Sequence, residues 1–264
     1  MISNLAYVHP EAKIGTNVTI EPFATVYKDV IIGEGTWIGS NVVLMDGARV
    51  GKNCKIFPGA VIAGIPQDLK FAGEDSTAEI GDNVTIRECV TVNRGTKSKG
   101  KTVVGSNCLI MAYSHIAHDC ILGDYVIIGN GTQLAGEIEI GDHAILSAHI
   151  LAHQFTRIGQ HVIISGGSHV LKDVPPFVKA AREPLAYVGL NVVGLRRRNF
   201  SHEKIQEIQT MYRHLYQSTM NRKDAVKFIE DTMPQTPERD LVINFVKESK
   251  RGIMKGFSSE VEED

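Results

Sequence analysis

From Val8 to Val170 an aliphatic residue returns at every sixth position. Of the 28 positions on that step, 24 are Val, Ile or Leu, and the exceptions are Asp68, Glu74, Ser98 and Ala152. A helix repeats its apolar face at 3.6 residues and a strand alternates at 2, so neither period selects this spacing. A short fixed period marks a solenoid, and a period of six predicts a parallel β-helix. Three hexapeptides make one triangular coil, so equivalent positions recur at i and i+18. The stepped residue points into the prism and stacks on its equivalent one coil away. Each such side chain contributes roughly 1.5–3 kcal/mol of gross burial, much of it offset by ordering the chain.

Two further positions follow the same step. Glycine often comes right after the aliphatic, as at Gly15, Gly33, Gly39, Gly51, Gly81, Gly105, Gly123, Gly129, Gly141 and Gly159. These glycines are expected at corners that need a permissive backbone. A small residue is favoured two places before the next aliphatic: Thr36, Ala48, Ala60, Thr132, Ala144 and three of the four cysteines, Cys54, Cys108 and Cys120. Cys89 sits one place earlier in its repeat. No CxxC or comparable spacing exists, so the cysteines are expected as small buried thiols of a reducing compartment.

The solenoid is expected over residues 1–176, with two ejected loops. Residues 63–79 are polar, with Pro66 and two glycines, and residues 93–103 are cationic and glycine-rich. Loops on a rigid scaffold often carry function, although a solvated insertion accounts for the same composition. Pro175-Pro176 closes the solenoid, and residues 177–264 read as an irregular connector followed by a helical domain. The period turns helical after Ser201, an N-cap for a helix over about 202–217 with Ile205, Ile208, Met211, Tyr212 and Leu215 on one face. A second helix is expected near 222–231. A third begins at Thr236-Pro237 and runs to Gly252. The acidic tail SSEVEED is expected to be frayed.

Composition adds limits. The chain has 264 residues, a net charge of −2 and 43% hydrophobic residues. That supports a sizeable core and gives no general case for nucleic acid as a partner. The first residues, MISNLAYVHP, lack the charged start and apolar run of a signal peptide, and no apolar run approaches the ~20 residues of a transmembrane segment. A cytoplasmic protein is expected. A solenoid of this kind leaves flat flanks, and a homotrimer with parallel prism axes is the closed symmetric way to cover them.

The densest chemistry lies in YSHIAHDC, residues 113–120. Ile116 and Leu122 take the inward positions, so His118 points outward. One coil on from His118 is Gly136, and one coil further is Gln154, with His153 beside it, at roughly 5 Å per coil. This column suits acyl transfer. A neutral imidazole can accept a hydroxyl proton, Asp119 can fix its tautomer, and the unobstructed N–H of Gly136 can donate to an oxyanion. His115 and His153 read as substrate contacts. His9, His202 and His214 read as incidental. Zinc is the rival chemistry, since solenoids of this class also host zinc carbonic anhydrases. His115, His118, His149 and His153 would supply the ligands, but two histidines three apart on a strand do not easily face one ion.

HIAHDC at 115–120, PQDLKFAG at 66–73, IRECVTVNRGT at 86–96, AHQF at 152–155, DVPPFV at 173–178 and NVVGLRRRNFS at 191–201 form the set of motifs that carries a resemblance. Together they resemble the acyl-[acyl carrier protein]–UDP-N-acetylglucosamine O-acyltransferase family of lipid A and lipopolysaccharide biosynthesis, over essentially the full chain. The resemblance implies a mainly β protein: a left-handed parallel β-helix with a C-terminal α-helical domain. It implies transfer of a 3-hydroxyacyl chain from acyl carrier protein to the glucosamine 3-hydroxyl of UDP-N-acetylglucosamine, without a covalent intermediate. No permanently bound cofactor is implied, since the acyl group arrives on the carrier's phosphopantetheine.

By the same resemblance His118 is the general base, Asp119 its partner and Gly136 the oxyanion hole. Gln67, Asp68 and Lys70 contact the sugar or the acyl hydroxyl. His115, His153 and Gln154 line a cleft between subunits. Asn191, Arg197 and Arg198 hold the uridine diphosphate, and the run Arg196–Arg198 would equally suit an acidic carrier protein. Gly166 falls at the acyl-chain ruler, where a glycine leaves room for about fourteen carbons or more rather than ten. Two positions depart from many relatives: Glu137 in place of a histidine and Val193 in place of an acid. They bear on the contacts to sugar and nucleotide and leave a 3-amino sugar open as the acceptor. Three alternatives remain: the later N-acyltransferase of the pathway, a zinc carbonic anhydrase-like enzyme, or a non-catalytic trimeric scaffold.

Overall fold

The computed structural model describes residues 1–256, so the acidic tail lies outside the described residues. Three parallel sheets form the walls of a triangular prism. They contain 9, 8 and 11 strands, and the 11-strand wall includes the C-terminal additions. Most coil strands are two residues long, such as His115–Ile116. The second residue of each points inward: Ile38, Leu44, Ile56, Ile62, Ile86, Ile110, Ile116 and Leu134 are fully buried. Ala152, the inward position of a regular coil that lacks Val, Ile or Leu, is also buried. The small positions Thr36, Ala48, Cys54, Ala60, Cys108, Cys120, Thr132 and Ala144 are buried as well. Cys89 is exposed.

Strand register measures the loops. Regular coils pair position i with i+18, as in Val26↔Leu44 and Ile116↔Leu134. Ile62 pairs instead with Val92, a step of 30, so two hexapeptides leave the coil. Val92 pairs with Ile116, a step of 24, so one hexapeptide leaves it. The missing aliphatics at Asp68 and Glu74, and then at Ser98, are those ejected repeats. The flanking strands reach further into the loops than expected, over Val61–Gly64, Thr77–Ile80, Thr91–Asn93 and Lys101–Val104. The loops proper are therefore 65–76 and 94–100. The extension follows from pairing, since Thr77–Ile80 runs in register with Lys101–Val104.

The glycines after the aliphatic residues have a different cause from the one expected. The left-handed backbone falls two residues later, for instance at Asn17, Asn41 and Asn53. The glycines are needed because adjacent coils touch there. A Cβ on Gly33 would lie 2.5 Å from the carbonyl carbon of Gly51, and one on Gly129 would lie 2.5 Å from that of Ser147. Neither backbone atom can yield, so close approach dictates the residue.

The stretch 177–198 is regular rather than an irregular connector. Val178–Ala181 continues one wall in parallel with Ile163–Ile164, and Ala186–Leu190 turns back antiparallel to it. Helix α1 (Val192–Arg197) follows. Helix α2 (His202–Gln217) starts at Ser201, whose hydroxyl accepts the N–H of Lys204, and buries the five residues expected. Helix α3 spans Arg222–Thr232. Helix α4 (Pro237–Glu248) is shorter than expected. Ser249 leaves it to donate to Asp173 Oδ2 at 2.6 Å, and Lys255–Gly256 then joins the sheet. No helix among the described residues is long and apolar enough to cross a membrane.

Candidate active site

His118 and Asp119 occupy the turn after the strand His115–Ile116. Asp119 has left-handed backbone, φ 61°, which folds its carboxylate back under the neighbouring imidazole. His118 Nδ1 lies 2.8 Å from Asp119 Oδ2. Asp119 is fully buried, and burial alone would raise its pKa. The hydroxyl of Thr96, His118, and the N–H groups of Thr96 and Lys99 outweigh that and hold it below the usual carboxylate value. An ionised carboxylate only accepts, so Nδ1 carries a proton, and in the neutral ring the lone pair is then on Nε2. The nearest acid to Nε2 is Asp68 of the first loop, at 3.9 Å, beyond hydrogen-bond range.

The imidazole packs against the next coil at Gly136. A Cβ at Gly136 would stand 2.5 Å from Cε1 and 2.6 Å from Nε2 of His118. Ala135 and Glu137, on either side, donate their N–H groups to the carbonyls of Ala152 and His118. The N–H of Gly136 has no acceptor among the described residues. The ring packs against a glycine with an unpaired N–H, and acyl transfer calls for a base and an N–H donor of this kind.

His115 lies on the outer face of the same wall. Thr91, its partner across the longer step, places its hydroxyl 2.7 Å from His115 Nδ1. Burial first, and then the neighbouring His118, lower the His115 pKa and keep the ring neutral. His153 is exposed and directs Nδ1 to the carbonyl of Gln154 at 3.0 Å. A cavity of about 720 Å³ opens beside this corner, lined by Lys99, Glu137, Glu139, Phe155 and Arg157 among others. On the first loop Asp68 Oδ1 accepts the N–H of Lys70, forming a local turn. Gln67 and Lys70 are exposed there.

The remaining candidates lie at other corners of the prism. Gly166 follows the Ile163–Ile164 strand, on a different wall from His115–Ile116. Asn191 is buried and already engaged. Its Nδ2 donates to the carbonyl of His161 and its Oδ1 accepts the N–H of Gly194, capping α1. Both polar atoms of the side chain thus hold structure within this chain. Arg198 donates to the carbonyls of Gly194 and His143. Arg197 is exposed. Within one chain, the His118 group, Gly166 and the Arg197–Arg198 group do not converge. His149 also lies on a different corner from His115 and His118, and among the described residues no three metal-ligating side chains gather.

Comparison with known proteins gives the family. The pattern described as UDP N-acetylglucosamine O-acyltransferase, domain 2, matches residues 173–254, and that of bacterial transferase hexapeptide repeats matches 29–64 and 101–136. An acyl-[acyl-carrier-protein]–UDP-N-acetylglucosamine O-acyltransferase of Chlorobium phaeobacteroides is 52% identical over 257 residues, 96% of this chain and 97% of its own length. The chain belongs to that family. The enzyme of the same name from Chlorobaculum tepidum is 57% identical over 204 residues, 76% of this chain and 77% of its own. Among solved structures, a UDP-N-acetylglucosamine acyltransferase from Bacteroides fragilis superposes with a TM-score of 0.95 at 53% identity, covering 97% of this chain and all of the other. The Arabidopsis enzyme gives 0.83 at 32% identity, with the same coverage.

Sequence reasoning missed the partners that set the site. Thr96 and Lys99 hold Asp119, and Thr91 holds His115. The silent tick at Ser98 signals the longer step that would have placed Thr91 against His115. Nothing in the periodicity reveals how the ejected loop folds onto Asp119.

Proposed function

We propose that this chain transfers a 3-hydroxyacyl group from acyl carrier protein to the 3-hydroxyl of UDP-N-acetylglucosamine, the first step of lipid A biosynthesis. The observation that carries the reading is the His118 imidazole, with Nδ1 fixed by Asp119, packed against Gly136, whose N–H has no acceptor among the described residues. Nε2 takes the proton of the acceptor hydroxyl as its oxygen attacks the thioester carbonyl. The N–H of Gly136 stabilises the oxyanion. Collapse expels the phosphopantetheine thiolate, which takes the proton back from the imidazolium. No covalent acyl-enzyme forms and no resident cofactor takes part.

The separation of the candidate residues over three corners favours a homotrimer, in which neighbouring copies bring those corners together. Leu69, fully exposed on the first loop, and Ile65, Leu151 and Leu171, more than half or nearly half exposed, supply apolar surface for such contacts. In this arrangement Asp68, Gln67, Lys70, His115, His153 and Gln154 line the cleft, Gly166 faces the acyl chain, and Arg197 with Arg198 meets the diphosphate. The Asn191 cap orients α1, which carries Arg197, while Arg198 follows at its end.

The test is to incubate the purified protein with 3-hydroxyacyl carrier protein and UDP-N-acetylglucosamine and weigh the product. A mass increase of one acyl group is expected, with turnover in His118→Ala reduced on the order of a thousandfold. Near-full turnover in His118→Ala would overturn the mechanism.

A further inference from the structure

Two loops leave the solenoid, and the second binds the Asp119 carboxylate beside His118 and grips the first loop. Each oxygen of Asp119 accepts two hydrogen bonds. Oδ1 takes the N–H groups of Thr96 at 3.0 Å and Lys99 at 3.1 Å. Oδ2 takes the Thr96 hydroxyl at 2.7 Å and His118 Nδ1 at 2.8 Å. The Thr96 oxygen in turn accepts the N–H of Ser98 at 3.2 Å, which aims its proton at the carboxylate. Asp119 is also held from its backbone, its N–H donating to Thr102 Oγ1 at 2.8 Å.

The same short loop grips the first one. Lys97 N–H donates to Glu74 Oε1 at 2.9 Å, and Ser76 Oγ donates to the carbonyl of Gly95 at 2.6 Å. The Arg94 guanidinium lies 5.3 Å from the centre of the Phe71 ring, and its backbone N–H donates to the carbonyl of Gly64 at 3.0 Å. The first loop carries Asp68 to within 3.9 Å of His118 Nε2.

We infer that residues 94–100 are a clasp for the reaction: Thr96 is a positioning residue that orients His118 through Asp119, and the Lys97–Glu74 tie sets Asp68 on the opposite side of the same ring. This rests on the reading of His118 as base. Thr96 touches no substrate in this account. Its hydroxyl shares Oδ2 with the imidazole, so it fixes the carboxylate plane and draws charge away from Nδ1–H. Without that hydroxyl, Asp119 directs more of its charge at the ring and favours the imidazolium. The ionisable groups around the pair are Asp68, His115, Lys99 and Cys120, and none of them is replaced in the variants below.

The test is steady-state kinetics against pH, varying UDP-N-acetylglucosamine, for Thr96→Val, Thr96→Ser and Glu74→Ala. Thr96→Val is expected to lower kcat about tenfold with KM within twofold, and to move the acid limb of kcat to higher pH. Thr96→Ser restores both, because the hydroxyl returns. Glu74→Ala is expected to raise KM several-fold with kcat and the acid limb unmoved. The inference is overturned if Thr96→Val behaves as wild type, or slows without moving the acid limb and without rescue by serine, or if Glu74→Ala leaves KM unchanged. His118→Ala separates the two claims: full turnover there removes the base itself, whereas an inactive His118→Ala with a wild-type Thr96→Val removes the clasp alone.

Discussion

Two histidine-bearing corners of the same prism differ in what surrounds the ring, and the proposed mechanism uses only one of them. At one corner His118 has a buried carboxylate on Nδ1 and a bare Nε2. At the other, Tyr125, His143, His161 and Phe177 stack coil upon coil, with ring centres 4.7, 4.9 and 5.6 Å apart. Phe200 closes edge-on against His161 at 5.2 Å. His161 Nδ1 is buried without a partner. Burial first, then His143 and Arg198, push its pKa down to about 4. The same forces, burial and then Arg198, lower His143, partly offset by Asp142 and Asp124. A residue type whose chemistry depends on its neighbours is suited to serve as a base beside a carboxylate and as an aromatic spacer in a stack.

The comparison breaks most sharply at Gly136. Gly136→Ala puts a methyl within 2.5 Å of the His118 ring, and the ring must move. Turnover is expected to fall about a hundredfold with the fold retained, read by steady-state kinetics beside a melting curve. Wild-type turnover in this variant would mean that the ring does not need to lie there.

A smaller effect is expected at Gly166, on the third corner. Gly166→Met should favour shorter acyl chains, changing the ratio of kcat/KM between long and short donors about tenfold. Unchanged chain preference would remove Gly166 from the acyl groove.

The smallest effect on catalysis is expected at the stacked corner. His161→Phe should keep kcat within twofold, because this ring touches no reacting group. Its signature lies in stability. The folded pKa of about 4 is below the ordinary 6.5, so between those values the unfolded chain binds a proton that the folded chain does not. The contribution of His161 to stability is therefore present above pH 6.5 and is lost as pH falls towards 4, by at most about 1.4 kcal/mol per pH unit. Chemical denaturation across pH 4–7 should show a shallower loss for His161→Phe than for wild type. Parallel curves would show that His161 is not held neutral by its stack.

The sequence carried the coil, its period and the column His118–Gly136–Gln154, because the i to i+18 step maps directly onto contact between coils. It also carried the two loops, since the ticks at Asp68, Glu74 and Ser98 fall silent where residues leave the wall. The stacked corner was equally accessible to that step. Tyr125, His143 and His161 each lie one coil apart, but polar rings at an outward position suggest no core. The glycines were seen for the wrong reason, because a permissive φ and a close approach select the same residue. The bonds from Thr96 and Lys99 to Asp119, and the Asn191 cap, depend on how a loop and a helix end fold in space. A repeat says nothing about segments that leave it.

The central claim is that His118 presents a bare Nε2 to the acceptor while the stacked histidines stay apart from the reaction. Nitrogen NMR of histidine-labelled protein at neutral pH, with and without UDP-N-acetylglucosamine, tests it directly. The account predicts that His118 is protonated at Nδ1 only, and that the nucleotide sugar shifts its Nε2 signal while leaving His161 unmoved. A proton on Nε2 in the free protein, or a nucleotide-sugar response at His161 and none at His118, would contradict it.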